Sequence, residues 1–416
     1  MHYMLKTFGI IAIMAIIALF FYIYLVMSLK EGFADKVSDD PIFQAQMKIL
    51  QEYASDASGK RPVTDAIDKM PEDDQCFVNF YALACRYPGY IGPMINGHSS
   101  PDIGVQAAIN AGCRVFVLDI DYLDSCSYYP RLVVRDAQGK LQMNPDSSPL
   151  CQSPDQSNLK QVCSKINFHA YAESTAQRTD PLVIVLYFHR VPPGAYNSKT
   201  VLDYYSAVAE SLAPFKNRIL TNETNGTYYR QKQEGQLLIN NINDYSGKVL
   251  VFSNANTMGF RESTLYEPMK DLDYMTHLRL TYTQTQLGIT ENGTGSIYGI
   301  LQTAEDFTAI PSNQTADVVQ QTKQRWTICL PRDPSQSVSA EMYKKISKMG
   351  VNCVPAVLFD PASAYLFTDS MFKRHGFVPK PVELRYTKPP SLIGGRANPT
   401  MDANGGGLRA TTLPSV

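Results

Sequence analysis

The chain has 416 residues, 44% of them hydrophobic, and a formal net charge of −1. That is ample for one large core, since roughly 250 residues already make an eight-fold barrel. The near-zero balance provides no global field for nucleic acid, and no zinc-finger or Gly-rich nucleotide-binding spacing occurs.

Phe8 to Leu29 is a run of 22 uncharged residues rich in Ile, Leu, Phe and Ala, preceded by Lys6 and followed by Lys30. As a helix it would span roughly 30 Å, the thickness of the hydrocarbon layer. The apolar core of a cleaved signal peptide runs only about 7–15 residues, and no small-x-small site follows, so residues 1–30 read as a retained signal anchor. Its orientation stays open, because Lys6 on one side faces Lys30 and Lys36 on the other. Residues 31–75 read as a juxtamembrane stalk with a short helix over Gln44–Tyr53. The body, 76–387, alternates apolar runs with helical patterns. Val115–Leu118, Leu132–Val134, Leu182–Phe188, Lys248–Phe252 and Val354–Phe359 read as buried parallel strands. Asp102–Ala111, Thr200–Leu212 and Ala340–Met349 read as helices, with Gly112 and Gly350 as C-terminal glycines. Such alternation predicts an α/β protein with a parallel sheet closed into a (β/α)8 barrel. Residues 138–164 and 217–235 read as polar loop insertions. The Pro-, Gly- and Thr-rich stretch 388–416 reads as a disordered tail.

All eight cysteines follow the apolar segment and none forms a C-x-x-C pair, which argues against zinc. Cys113 and Cys353 lie in apolar runs and read as buried thiols. Cys126, Cys151 and Cys163 lie in polar surroundings and are the candidates for bridges. Sequons at Asn222, Asn225, Asn292 and Asn313 favour a lumenal or external face.

Short segments in collinear order over about three hundred residues resemble the phosphoinositide-specific phospholipase C family, in both its X and Y halves. Ile95-Asn96-Gly97-His98-Ser99-Ser100 is similar to the family's Ser-His-Asn-Thr turn. Gly112-Cys113-Arg114 with Leu118-Asp119 is similar to Gly-Cys-Arg-x-x-Glu-Leu-Asp. Pro181–Leu186 and Gly247–Val251 resemble two further strands. Gly376-Phe377-Val378, Lys380-Pro381 and Leu384-Arg385 resemble Gly-Tyr-Val-Leu-Lys-Pro-x-x-Leu-Arg.

The family's chemistry pairs a base and an acid with calcium, each proton transfer contributing about 10²–10⁴-fold. Carried over by position, the resemblance implies His98 as the first histidine. The calcium-binding Asn becomes Ser99, the first Glu becomes Val117, and the Asp is kept as Asp119. The last Glu becomes Tyr187, with the neighbouring histidine kept as His189. Calcium takes about six to eight oxygens, with anionic ligands among them, so Asp119 and Asp121 are a poor remnant of its site. Arg135 stands where the second histidine belongs, and an arginine stays protonated. Headgroup-reading lysines are replaced by Phe252, Ser253 and Asn254, and the Arg-x-Tyr-Pro of the seventh strand appears as Ile328-Cys329-Leu330-Pro331. The arginine that calcium-free bacterial members carry on the second strand falls at Asp119. His169 and His189 read as structural, Trp326 as core packing, and Lys344, Lys345 and Lys348 as a solvated helix face. Asp119 and Asp121 read equally as partners of arginine, Arg135 among them.

The expectation is a single-pass, membrane-anchored barrel that has lost catalysis, with no cofactor, or calcium if active. Its partners would be a membrane lipid with a phosphoinositide-like headgroup, or a protein in a membrane or virion assembly. Anchor, barrel and tail together are similar to membrane proteins of large DNA viruses. Two competing expectations are an active phosphoric diester hydrolase with His98 as general base, and a glycosidase using Asp119 and Asp121.

Overall fold

The computed structural model describes Ile16, Leu19 and residues 41–55, 59–90, 100–122, 130–135, 140–141, 159–221, 228–233, 235–262, 271–282, 298–333, 336–368 and 371–388. Eight parallel strands close into a barrel. They are β1 (Phe80–Arg86), β2 (Val115–Asp121), β4 (Leu182–Phe188), β5 (Val249–Ser253), β6 (Leu278–Tyr282), β7 (Gly299–Thr303), β8 (Trp326–Leu330) and β9 (Cys353–Val357), and β1 pairs with both β2 and β9. Two short strands flank the closure. β3 (Arg131–Leu132) runs antiparallel to β2, and β10 (Phe377–Pro379) runs antiparallel to the start of β1.

Buried parallel strands are apolar on both faces, and successive side chains divide between two cores. On β2, Val115 and Val117 fill the barrel while Phe116, Leu118 and Ile120 pack under the helices. On β4, Val183, Val185 and Tyr187 point inward while Leu182, Ile184, Leu186 and Phe188 point outward. Trp326 sits inside the barrel, edge-on to Phe252 at 4.8 Å between ring centroids. Helices Pro101–Asn110, Leu159–Ala170, Lys199–Ser211 and Ala340–Ser347 cover the outside. Ser198 and Ser339 cap the last two by accepting backbone N–H groups, and Gly112 and Gly350 follow helix ends at φ of 99° and 79°.

The β2, β4, β5 and β9 runs lie where the apolar pattern puts them. Leu132–Val134 does not form a parallel strand: Leu132 pairs antiparallel with Ile120, and Val133 N–H donates to the Asp119 carbonyl at 3.0 Å. Its apolar residues cover the end of β2 rather than extending the barrel. The 138–164 insertion ends inside helix Leu159–Ala170, whose buried face includes Cys163. That thiol is free, not a bridge. Cys113 and Cys353 are free and buried, and Cys126 and Cys151 lie outside the described residues. Within 217–235, helix Tyr228–Gln233 buries Tyr228.

The apolar segment read as an anchor, apart from exposed Ile16 and Leu19, lies outside the described residues. Among those described, no helix is long and apolar enough to cross a membrane. Helix Pro41–Ser55 covers the short helix read at Gln44–Tyr53, and its Leu50 and Tyr53 join the outer core, Tyr53 meeting Phe367 at 4.6 Å. The compact unit ends at Tyr386. Of the second unit, Thr387–Val416, only residues 387 and 388 are described.

The two motif glycines meet beneath the barrel. A methyl group on Gly376 would collide with the Gly112 carbonyl oxygen and approach Arg114 Cγ to 2.9 Å. Gly376→Ala is therefore expected to cost about 1–3 kcal/mol by forced displacement of backbone, read as a shift of the urea midpoint. A change within about 0.5 kcal/mol would show that the floor yields.

Candidate functional site

Inward-facing residues at the C-terminal ends of β1, β2 and β4 converge on one mouth, the end where such barrels place chemistry. Ala84 opposes Val115 and Arg86 opposes Val117 in register, so Asp119 stands two residues further up the same face. Arg86 Nε donates to Asp119 Oδ1 at 2.8 Å and Nη2 donates to Oδ2 at 2.5 Å. His189 Nε2 lies 2.8 Å from Oδ2. Burial alone would raise the Asp119 carboxyl, but the Arg86 guanidinium, helped by His189, holds it below the usual carboxylate range. Asp119 is therefore ionised and acceptor-only, so His189 Nε2 carries the proton. Arg86, opposed by burial and favoured by Asp119, is held above the ordinary arginine range. Its guanidinium lies between the Tyr87 and Tyr187 rings, 5.1 and 5.5 Å from their centroids.

Asp121 forms a second knot one step along β2. It accepts from Arg135 Nε at 2.9 Å and also from Arg135 Nη2, and from Arg190 Nε at 3.0 Å. Arg190 also donates to the Tyr122 carbonyl at 2.7 Å. Three guanidinium groups thus face two carboxylates. Arg86 is 3% exposed, and its Nη1 has no hydrogen-bond partner among the described residues. Tyr87 has a φ of 56°, the single non-glycine residue in the left-handed region among those described. Such backbone costs about 1–3 kcal/mol and gathers at functional sites.

Beside Asp119 lies a cavity of about 20 Å³, bounded by Tyr87, Tyr90 and Val133 among others, with room for about one water molecule. Tyr87, Tyr90, Val134, Val357 and Phe359 form a separate apolar cluster at this end.

His98 lies outside the described residues. β1 ends at Arg86, and the segment that carries His98 is not among the residues described after it. Asp119 and Asp121, read both as the remnant of a cation site and as partners of arginine, are both paired with arginine. Arg135 is the partner of Asp121. Asn254 locks β4 to β5, its Oδ1 accepting Phe188 N–H at 2.7 Å and its Nδ2 donating to the Phe188 carbonyl at 3.0 Å. His169 lies at a helix end, 3.7 Å from Asp102, outside this mouth. Sequence reasoning missed Arg86, Tyr87 and Arg190. The available signal was a lone arginine closing the apolar strand Phe80–Cys85, on the face shared by Ala82 and Ala84.

Calcium does not fit this donor set. No group of three His, Cys, Asp or Glu side chains able to hold a metal occurs among the described residues. The oxygens of Asp119 are taken, and the Arg86 guanidinium beside them would repel a cation.

No protein-family model matches the chain, and no curated protein sequence matches it. Among solved structures it is similar to PLC21 of L. pealei, at a TM-score of 0.49 and 15% identity over 78% of this chain and 40% of that one. It is similar to a calcium-dependent phosphoinositol-specific phospholipase C from the Gram-negative bacterium Pseudomonas sp, at 0.42 and 12%, covering 74% and 96%. It is also similar to a calcium-dependent phosphatidylinositol-specific phospholipase C from Streptomyces antibioticus, at 0.41 and 10%, covering 73% and 99%. The chain thus spans two fifths of the length of the L. pealei protein.

Proposed function

We propose that this is a phospholipase C-like barrel that binds a phosphate ester at its mouth, at a membrane surface, and no longer hydrolyses it with calcium. The carrying observation is the Arg86–Asp119–His189 cluster, in which a guanidinium and an imidazole consume the carboxylate oxygens a metal would need. Arg190, paired with Asp121 at the same mouth, is half-exposed, and the excess of guanidinium over carboxylate favours an anion. The apolar segment Phe8–Leu29 would hold the barrel at the bilayer that displays such headgroups, on the lumenal or external side or in a virion membrane.

A second reading is favoured by one contact. A histidine held by a buried carboxylate is a common acid–base arrangement, so His189 together with His98 would give a metal-independent phosphoric diester hydrolase. The full chain should be tested by co-sedimentation with phosphatidylinositol vesicles against phosphatidylcholine vesicles. Release of the headgroup should be followed with and without calcium, in the native chain and in His98→Ala and His189→Ala. Selective binding without release is the expected result. Calcium-independent release that needs either histidine would establish the hydrolase reading. Calcium-dependent release, or no selective binding by folded protein, would sink the proposal.

A further inference from the structure

At the opposite end of the barrel from the mouth, residues 60–63 cross the floor as a strap. Lys60 Nζ donates to the carbonyls of Phe372 at 3.2 Å and Lys373 at 3.1 Å. Arg61 N–H donates to the Arg374 carbonyl at 2.7 Å, and the Arg61 carbonyl accepts from Gln177 Nε2 at 3.1 Å. The Pro62 carbonyl accepts from His375 Nδ1 at 3.1 Å, and Val63 N–H donates to Asp180 Oδ1 at 2.8 Å.

Behind the strap is a buried polar chamber. Arg114, Gln177 and Asp180 are each 1% exposed. Arg114 Nε and Nη2, Gln177 Oε1 and Asp180 Oδ2 have no hydrogen-bond partner among the described residues. The chamber is built of residues close in space: Arg114 Cγ and Gln177 Nε2 flank Gly376, and Gln177 Oε1 and the Lys60 chain flank Gly112. A carboxylate with one oxygen satisfied and the other buried without a donor is costly to keep charged. Opening the strap would return Asp180 to water and remove that cost.

We propose that residues 60–63 are a pH-sensitive strap, fastened when Asp180 is protonated and loosened when Asp180 ionises. Burial, the largest influence, raises the Asp180 carboxyl to about 6, against the pull of Arg114 and of the Val63 N–H, with Asp65 adding to the rise. Arg114 comes from the base of β2 and Asp65 from helix Val63–Ile67. Lys60 of the strap and His375 ahead of β10 are tied to carbonyls, and Tyr171 acts on Arg114. With the strap open, the carboxyl has its ordinary value near 3.8. The closed form therefore holds the proton more tightly, so closure strengthens as pH falls through 6 and weakens as pH rises past it. The proton also turns Asp180 Oδ2 into a donor in a chamber that contains the acceptor Gln177 Oε1.

The test is amide hydrogen exchange of the full chain, corrected for the intrinsic pH dependence of exchange. One proton and a carboxyl near 6 give Val63 about tenfold more protection at pH 5 than at pH 7, with no parallel change in β4. Asp180→Asn should abolish the pH dependence while keeping the Val63 N–H bonded to the amide oxygen. A flat Val63 profile in the native chain would overturn the proposal, as would a rise shared equally by β4 or one that survives in Asp180→Asn. If Asp180→Asn does not fold, the native Val63 and β4 profiles decide.

Discussion

Asp119→Ala is expected to destabilise the fold by about 3–5 kcal/mol, the range for removing one member of a buried ion pair. The carboxylate is buried and receives both Arg86 Nε and Nη2 as well as His189. Truncation leaves a guanidinium that is 3% exposed with no counter-charge, between two tyrosine rings that offer only their faces. Asp119→Asn should cost less, because the amide oxygen still accepts one arginine N–H. The double variant Arg86→Met with Asp119→Leu should recover much of the loss, because an apolar pair of similar volume removes both desolvation penalties. Urea unfolding of the three variants separates these terms. A loss under about 1 kcal/mol for Asp119→Ala would mean that water reaches Arg86, and that the mouth is wetter than its packing implies.

The same pair shows where sequence stopped being informative. β2, β4, β5 and β9 are apolar on both faces, and that pattern alone marks them. β6 alternates Leu278, Arg279, Leu280 and Thr281, a half-polar pattern that does not announce a barrel strand. Asp119 and Arg135 are visible as charges in apolar surroundings. The partner of each is set by register between strands, which no single segment contains. Arg86 and Asp119 are 33 positions apart and meet only because Ala84 pairs with Val115.

The resembling motifs have a physical unity of their own. Gly112, Arg114, Gly376, Lys380 and Arg385 all lie at the barrel floor, where Gly112 touches Gly376. There Arg385 Nε donates to the Lys380 carbonyl at 2.7 Å, and Arg385 pairs with Asp74 at 3.1 Å. These residues lie at the end of the barrel opposite the Arg86–Asp119 cluster. A sequence can keep such residues while its mouth varies, so motif likeness reports the scaffold more faithfully than the chemistry.

Lys380→Met carries the second large expectation, in the opposite direction. Lys380 is fully buried. Its Nζ reaches the Thr322 carbonyl at 3.3 Å and lies 6.0 Å from the centre of the Tyr81 ring. Burial lowers its ammonium from 10.5 to about 7. The unfolded chain therefore binds more protons than the folded one between pH 7 and 10.5. Stability rises with pH across that window and is penalised below it. At pH 7 the penalty is on the order of 4 kcal/mol. Methionine fills similar space without a charge to desolvate, and it gives up one long hydrogen bond and a distant ring contact. Lys380→Met should thus be more stable than the native chain by a few kcal/mol at pH 7, with the difference shrinking steadily and vanishing near pH 10. Urea midpoints of both proteins at pH 7, 8.5 and 10 measure it. A destabilised variant, or a difference that does not depend on pH, would mean that Lys380 keeps its charge in the fold and is paid for by contacts at the floor.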